Sequence, residues 1–169
     1  MNYKPFLVFM LLLSLTGCFS IRYDMKGGAD INPAIQTVSV QYFNNRAMQV
    51  EPTLSQKFTD ALKNYMENNT KMRLVNTLGD VDFSGEITDY KTQSVAISGE
   101  NVAQKRRFTI TIRVKFTNAI NPEDNFDTSF SGYRDFDSSQ NLSGVGASLT
   151  EEIIDEIIED IFNKAFVNW

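Results

Sequence analysis

The sequence predicts an α+β domain: a two-layer sandwich with a mostly antiparallel sheet of four to five strands and two helices packed on one face. Three observations carry this. In FTITIRVKF, Phe108, Ile110, Ile112, Val114 and Phe116 point one way while Thr109, Thr111, Arg113 and Lys115 point the other, as in a half-buried strand. Two other stretches, after Thr53 and after Ser148, repeat apolar residues at helical spacing. The order is strand, helix, three or four strands, helix, and strands with one polar face belong to a sheet covered on one side only.

The elements follow in chain order. Residues 1–17 read as a secretory signal, with Lys4 ahead of an apolar run from Phe6 to Leu13 that is too short to span a bilayer. Leu15-Thr16-Gly17-Cys18 follows, and it resembles the lipobox of bacterial lipoproteins. There the thiol takes up a diacylglycerol and the peptide is cut just before it, so Cys18, the only cysteine, is the expected lipidation site. Residues 18–35 form the lipidated N-terminus and tether, loosened by Gly27-Gly28 and Pro33. The domain occupies residues 36–169. Val38, Val40 and Tyr42 alternate with Ser39, Gln41 and Phe43 in a first strand. Thr53 to Gln56 fits a capping box, and Leu54, Phe58, Ala61, Leu62, Tyr65 and Met66 then share one stripe up to Asn68-Asn69. Arg73 to Val75 make a short strand before the turn Leu78-Gly79-Asp80. Val81, Phe83, Gly85 and Ile87 begin a long strand running towards Ile97, and a loop from Ser98 to Gln104 leads to FTITIRVKF. After the turn Asn121 to Asn125, Phe126, Thr128 and Phe130 open a further strand. Gly132 is its expected bulge, because the apolar phase becomes irregular at Tyr133 and Phe136. Ser148 to Glu151 is a second capping box, followed by a wide stripe of Leu149, Ile153, Ile154, Ile157, Ile158, Ile161, Phe162, Ala165 and Phe166.

Composition narrows the function. Removing Lys4 with the signal leaves 15 basic against 21 acidic residues, a net charge of −6, which disfavours nucleic acid as a partner. With its one thiol acylated the chain has no disulfide, so stability must come from the core. No segment after the signal is apolar enough to cross a membrane. Residue 19 is Phe rather than Asp, and no acidic cluster follows Cys18. By lipoprotein sorting rules the address is the outer membrane, on its periplasmic side.

Candidate chemistry is sparse. The chain has no histidine, which excludes a Ser-His-Asp arrangement, a Cys-His pair and a His-based metal site. Asp80-x-Asp82 and Asp135-x-Asp137 each set two carboxylates on one strand face. Such pairs can hold a hard cation or serve as acid and base, but solvated strand edges are the expected role. Glu151, Glu152, Asp155, Glu156, Glu159 and Asp160 lie opposite the apolar stripe, the first of them at the helix N-terminus. Lys105, Arg106 and Arg107, continued by Arg113 and Lys115, are the candidates for an anionic ligand or a protein partner. A basic strand edge is the alternative. No cofactor is implied.

The segments VSVQYFNNRAMQVEPTLSQKFTDALK, DFSGEITDY, TITIRVKFTN, FSGYRDFDSSQNL and EEIIDEIIEDIFNKAFVNW together resemble the lipopolysaccharide-assembly lipoprotein family, LptE, from about residue 36 to 169. The resemblance implies a non-enzymatic outer-membrane lipoprotein that plugs a large β-barrel of the LptD type. With it, the plug helps insert lipopolysaccharide into the outer leaflet. It also implies helices on one face of a small sheet, and no catalytic residues. The row Thr109, Thr111, Arg113, Lys115 and Thr117 is then the expected face against a polar barrel wall. The competing function is a lipid-anchored periplasmic glycan hydrolase, which would need a cleft with two facing carboxylates about 5 to 9 Å apart.

Overall fold

Alternation decides most of the sheet. The computed structural model describes residues 31–49, 51–95 and 104–167. Six strands form one sheet: β1 (Thr37–Val40), β2 (Asn44–Asn45), β3 (Arg73–Leu74), β4 (Val81–Val95), β5 (Lys105–Asn118) and β6 (Phe126–Asp137). Helix α1 spans Leu54–Asn69 and helix α2 spans Leu142–Phe166. The strand order is β3-β1-β4-β5-β6, with β2 pairing on β4.

The sheet is mixed rather than mostly antiparallel. Of its five pairings, β1–β3, β1–β4 and β2–β4 are parallel, while β4–β5 and β5–β6 are antiparallel. The reason is the crossover: α1 carries the chain across the face after β1, so the next strands re-enter in the same direction. Alternation within each strand could not show this, because it is identical for parallel and antiparallel partners.

The first strand stops at Val40. Tyr42, expected to share a face with Val38 and Val40, is exposed, whereas Phe43 is fully buried. The bulge lies in β4, where the register against β5 shifts between Ile87 and Asp89 and Thr88 Oγ1 donates to the Thr111 carbonyl. That extra residue inverts the phase, so Val81, Phe83 and Ile87 face inward before it and Tyr90 after it. Gly132 is not bulged, since β5 and β6 pair without a break from Lys105↔Asp137 to Phe116↔Phe126. Its missing side chain instead seats α2: a Cβ there would lie 2.8 Å from Ile153 Cγ2. Gly85 is excluded from carrying a side chain more severely, because a Cβ would meet the Arg113 carbonyl oxygen at 2.0 Å.

Neither capping box forms. Thr53 has helical backbone angles and its hydroxyl donates to Glu51 Oε1 at 2.8 Å. Helix α2 starts six residues before Ser148, capped by Asn141, whose Oδ1 accepts from the Ser143 amide. Ser148 donates to the Val145 carbonyl inside the helix. Leu142 and Val145, packed against the core, extend the stripe, but Gly144 and Gly146 obscure it in the sequence. Glu151 and Glu152 are therefore mid-helix residues, away from the N-terminal dipole.

Both helices cover the same face. Leu54, Phe58, Leu62 and Met66 of α1 and Ile153, Ile154, Ile157, Ile158, Ile161 and Phe162 of α2 close over Val81, Phe83, Phe108, Ile110, Ile112, Val114 and Phe116. Phe116 contacts Phe83, Phe126 and Phe166, with ring centroids 4.9, 5.2 and 5.7 Å away. The opposite face has no covering layer among the described residues.

Candidate functional site

The pleat of β5 divides the basic cluster. Lys105, Arg107, Arg113 and Lys115 stand on the open face with Thr109, Thr111 and Thr117; Arg106 points to the helix side, its guanidinium 5.6 Å from the Phe136 ring centroid. Five neighbouring cations in the sequence thus become four on one face and one on the other.

On the open face, arginines meet β6 carboxylates. Arg107 makes two bonds to Asp135, at 2.7 and 2.9 Å, and lies over the Tyr133 ring at 3.9 Å. Arg113 makes the same two-pronged contact with Asp127, at 2.7 and 2.9 Å. Hydrogen bonds from these arginines hold the Asp135 and Asp127 carboxyls below the usual carboxylate range and raise the guanidinium values in return. Between the two pairs, Thr111 and Ser131 share a hydroxyl hydrogen bond of 3.0 Å, and on β4 Lys91 pairs with Asp89 at 3.0 Å. The face combines three closed ion pairs with hydroxyls and the exposed aromatic ring of Tyr133. Lys105 and Lys115 make no salt bridge among the described residues.

The carboxylate pairs do other work. Asp80 accepts from the Gln36 amide, the Thr37 amide and the Thr37 hydroxyl at 2.8 to 2.9 Å, which holds its carboxyl below the ordinary value. Asp82 is buried rather than solvated, and it accepts from Ser39 Oγ at 2.6 Å and Gln41 Nε2 at 2.7 Å. Both fasten β4 to β1. Asp135 is engaged by Arg107, and Asp137 accepts from the Ser139 amide at the end of β6.

A cleft of about 420 Å³ opens between the N-terminal ends of the two helices and β4. One carboxylate, Glu51, lines it, with Lys57, Tyr90, Asn141, Ser143 and Thr150. Burial raises the Tyr90 hydroxyl above its ordinary value, against a hydrogen bond with Thr150. A shallower recess of about 380 Å³ beside Lys115 and Phe126 also has one carboxylate, Asp127. Neither has the facing pair that glycan hydrolysis needs. Among the described residues no three acidic or thiol groups converge as a metal site.

Sequence reasoning missed Tyr133 as a platform and Arg134 as a clamp. Arg134 points inward from β6, donating to Glu152 at 2.9 Å and Glu156 at 2.6 Å of α2. Its even number, in phase with Phe130 and Phe136, was the available signal. Cys18, Ile97 and the loop up to Ala103 lie outside the described residues.

Comparison with known proteins bears on the whole domain. The family model for lipopolysaccharide assembly, LptE, matches residues 35–165. No curated protein sequence matches the chain. Among solved structures, the chain is similar to one described as a minor lipoprotein from Acinetobacter baumannii, with TM-score 0.51, 12% identity, and 78% of this chain and 92% of that one covered. It is also similar to a hypothetical protein from Chlamydia trachomatis, with TM-score 0.54, 10% identity and coverages of 79% and 99%. A protein from Xanthomonas campestris follows, with TM-score 0.52, 13% identity and coverages of 81% and 89%. At such identities the likeness concerns the fold.

Proposed function

The chain belongs to the lipopolysaccharide-assembly (LptE) family, and from that premise we propose that it is an outer-membrane lipoprotein held by acylated Cys18. In this reading it plugs an LptD-type β-barrel from the periplasmic side and takes part in inserting lipopolysaccharide into the outer leaflet. No step is enzymatic: the work is binding and occlusion.

The observation that supports this reading is the open sheet face. A plug inside a barrel meets a polar, water-lined wall, so its contact surface has to offer hydrogen bonds without leaving unpaired charges to be desolvated. Thr109, Thr111, Ser129 and Ser131 supply hydroxyls, while the Arg107–Asp135 and Arg113–Asp127 pairs arrive already neutralised. Lys105 and Lys115 then supply the cations for an anionic glycolipid, with Arg107 and Arg113 as further contacts. Arg106, on the helix side, is the weakest member of that proposed set. The lipid anchor contributes by holding the domain at the membrane, where two or more acyl chains make attachment stable.

Affinity purification of the tagged, full-length chain from solubilised outer membranes tests the class. A large barrel protein and lipopolysaccharide should co-purify, and Cys18→Ala should leave an unacylated precursor displaced from the membrane. Recovery without any barrel protein, or fatty-acid labelling of the Cys18→Ala variant, would refute the reading.

A further inference from the structure

The longest open edge of the sheet is the outer side of β6, which has no partner strand among the described residues. The ladder fixes which of its backbone groups are free. The Ser138 amide donates to the Gln104 carbonyl, continuing the β5–β6 register, so even-numbered β6 residues bond towards β5. The Ala119 amide donates to the Asp80 carbonyl, which turns odd-numbered β5 residues towards β4 and agrees with that phase. The amides and carbonyls of Asp127, Ser129, Ser131, Tyr133 and Asp135 therefore face outward along a twelve-residue strand. The strand has no proline, lysine or bulge to blunt it, so it is a template for strand addition.

The two sides of this edge differ in charge. On the open side Arg113 and Arg107 already meet Asp127 and Asp135, and Lys105 stands across from Asp137 on β5. Acid there is matched by base. On the helix side α2 holds Glu152 and Glu156 over β6, both bonded to one cation, Arg134. Asp160, exposed, follows one turn later on the same row. Three carboxylates thus share a single arginine, and about half of each glutamate side chain stays exposed, 55% and 47%. On that same side Phe126 and Phe130 are only partly buried against the core.

We propose that the β6 edge takes an extended basic segment of another protein as an added antiparallel strand, with Lys or Arg at every second position turned towards α2. Such side chains are amphipathic: their stems would cover Phe126 and Phe130 while their heads reach the carboxylates of α2. The alternate positions, on the open side, lie across from Ser129, Ser131 and Tyr133 and suit small hydroxyl residues. Main-chain bonds supply the affinity, and the acidic row selects the sign of the guest. A second copy of this chain is a poorer guest. Antiparallel self-pairing about Gly132 sets Asp127 opposite Asp137, and it brings two acidic α2 rows side by side on one face.

Titration of the full chain in detergent with a short alternating Thr-Lys peptide, and with its Thr-Glu counterpart, tests this. The Thr-Lys peptide should slow exchange of the Ser129, Ser131 and Tyr133 amides about tenfold or more at saturation, with Ile110 and Ile112 unchanged. The Thr-Glu peptide should not. In the antiparallel register the threonine amides bond to β6 and the lysine amides point away. N-methylation of the threonines should therefore abolish binding, and N-methylation of the lysines should spare it. Ser131→Pro removes one outward amide and leaves the β5 ladder whole, so it should weaken the peptide about tenfold while unfolding stays cooperative. Glu156→Gln with Asp160→Asn, which leaves the ladder untouched, should weaken it by a similar factor. Equal binding of the two N-methylated peptides would show charge attraction without a strand and overturn the proposal. Equal binding of the Thr-Lys and Thr-Glu peptides, or no protection by Thr-Lys at any soluble concentration, would do the same. Slow exchange of the three β6 amides before any peptide is added would show an edge already covered, and would overturn it too.

Discussion

Gly132 shows how one missing methyl group positions a layer. A Cβ at that place would lie 2.8 Å from Ile153 Cγ2 and 3.4 Å from Ile157 Cγ1, and a β-branched side chain on a packed helix has little room to retreat. Gly132→Ala should thus destabilise the domain by about 1 to 3 kcal/mol, read as a lower denaturant midpoint with an unchanged slope. A midpoint equal to the parent's would mean that α2 rides further from the sheet. The sequence marks this glycine as a gap in the apolar row of its strand but not why, because a bulge and a close helix leave the same trace. Asp80 is a second residue whose role depends on what it touches. Its hydrogen bonds from Gln36 and Thr37 depress its pKa in the folded state, so its contribution is present above the unfolded value and is lost as pH falls through the folded one. Melting temperature should hold at neutral pH and drop below about pH 4, with Asp127, Asp135 and Asp137 adding in the same direction. Asp80→Asn should lower the melting temperature at pH 7 and flatten that acid slope. An unchanged slope would show that the staple between β1 and β4 is not what titrates.

At the scale of elements, periodicity was legible and boundaries were not. The β5 alternation appears in the structure residue for residue. The α2 stripe from Ile153 to Ala165 is buried as expected, with Leu149 and Phe166 partly buried and Gly146 and Thr150 buried beside it, since both patterns follow from burying one face. Both capping boxes failed because Ser and Thr have several local partners: Thr53 found Glu51, and Ser148 found the turn before it. The parallel pairing of β1 was hidden too, being a property of the crossover and not of the strand. For the site, residue types were visible while facing was not: the bulge at Thr88 and the pleat at Arg106 decide which charges share a surface. The stripe itself yields a sharp contrast. Ile157 is fully buried, so Ile157→Asp sinks an unpaired carboxylate into the core and should cost more than about 4 kcal/mol, leaving little folded protein at 37 °C. Glu159, exposed on the far side, should tolerate Gln within about 0.5 kcal/mol. Glu156→Gln falls between, within about 1 kcal/mol, because it weakens the half-exposed clamp with Arg134. Circular dichroism melts of the three variants should rank them in that order, and a stable Ile157→Asp protein would show that the stripe is not core.

Over the whole molecule, the two faces of the sheet divide the labour: one is closed by helices, and the other shows closed ion pairs to its surroundings. If the open face lies against a barrel wall, what matters there is that each charge brings its own partner, because an unpaired charge is costly to desolvate. If it instead collects anionic glycolipid through arginine, the sign at each position matters. A charge swap separates the two. Arg107→Glu alone leaves two carboxylates facing each other beside Tyr133, so it should weaken barrel association and make the outer membrane permeable to bulky antibiotics. Adding Asp135→Arg restores a pair of opposite polarity across β5 and β6 with the same register. Recovery of the barrel complex and of the permeability barrier in the double variant is the expected outcome for a wall contact. Recovery of the complex without recovery of lipopolysaccharide binding would assign the Arg107 guanidinium to the glycolipid. Full activity of Arg107→Glu by itself would remove this part of the sheet from the interface altogether. Both variants lie on an exposed surface away from the core, so melting temperatures near the parent's should accompany every one of these outcomes and keep loss of fold from imitating loss of contact.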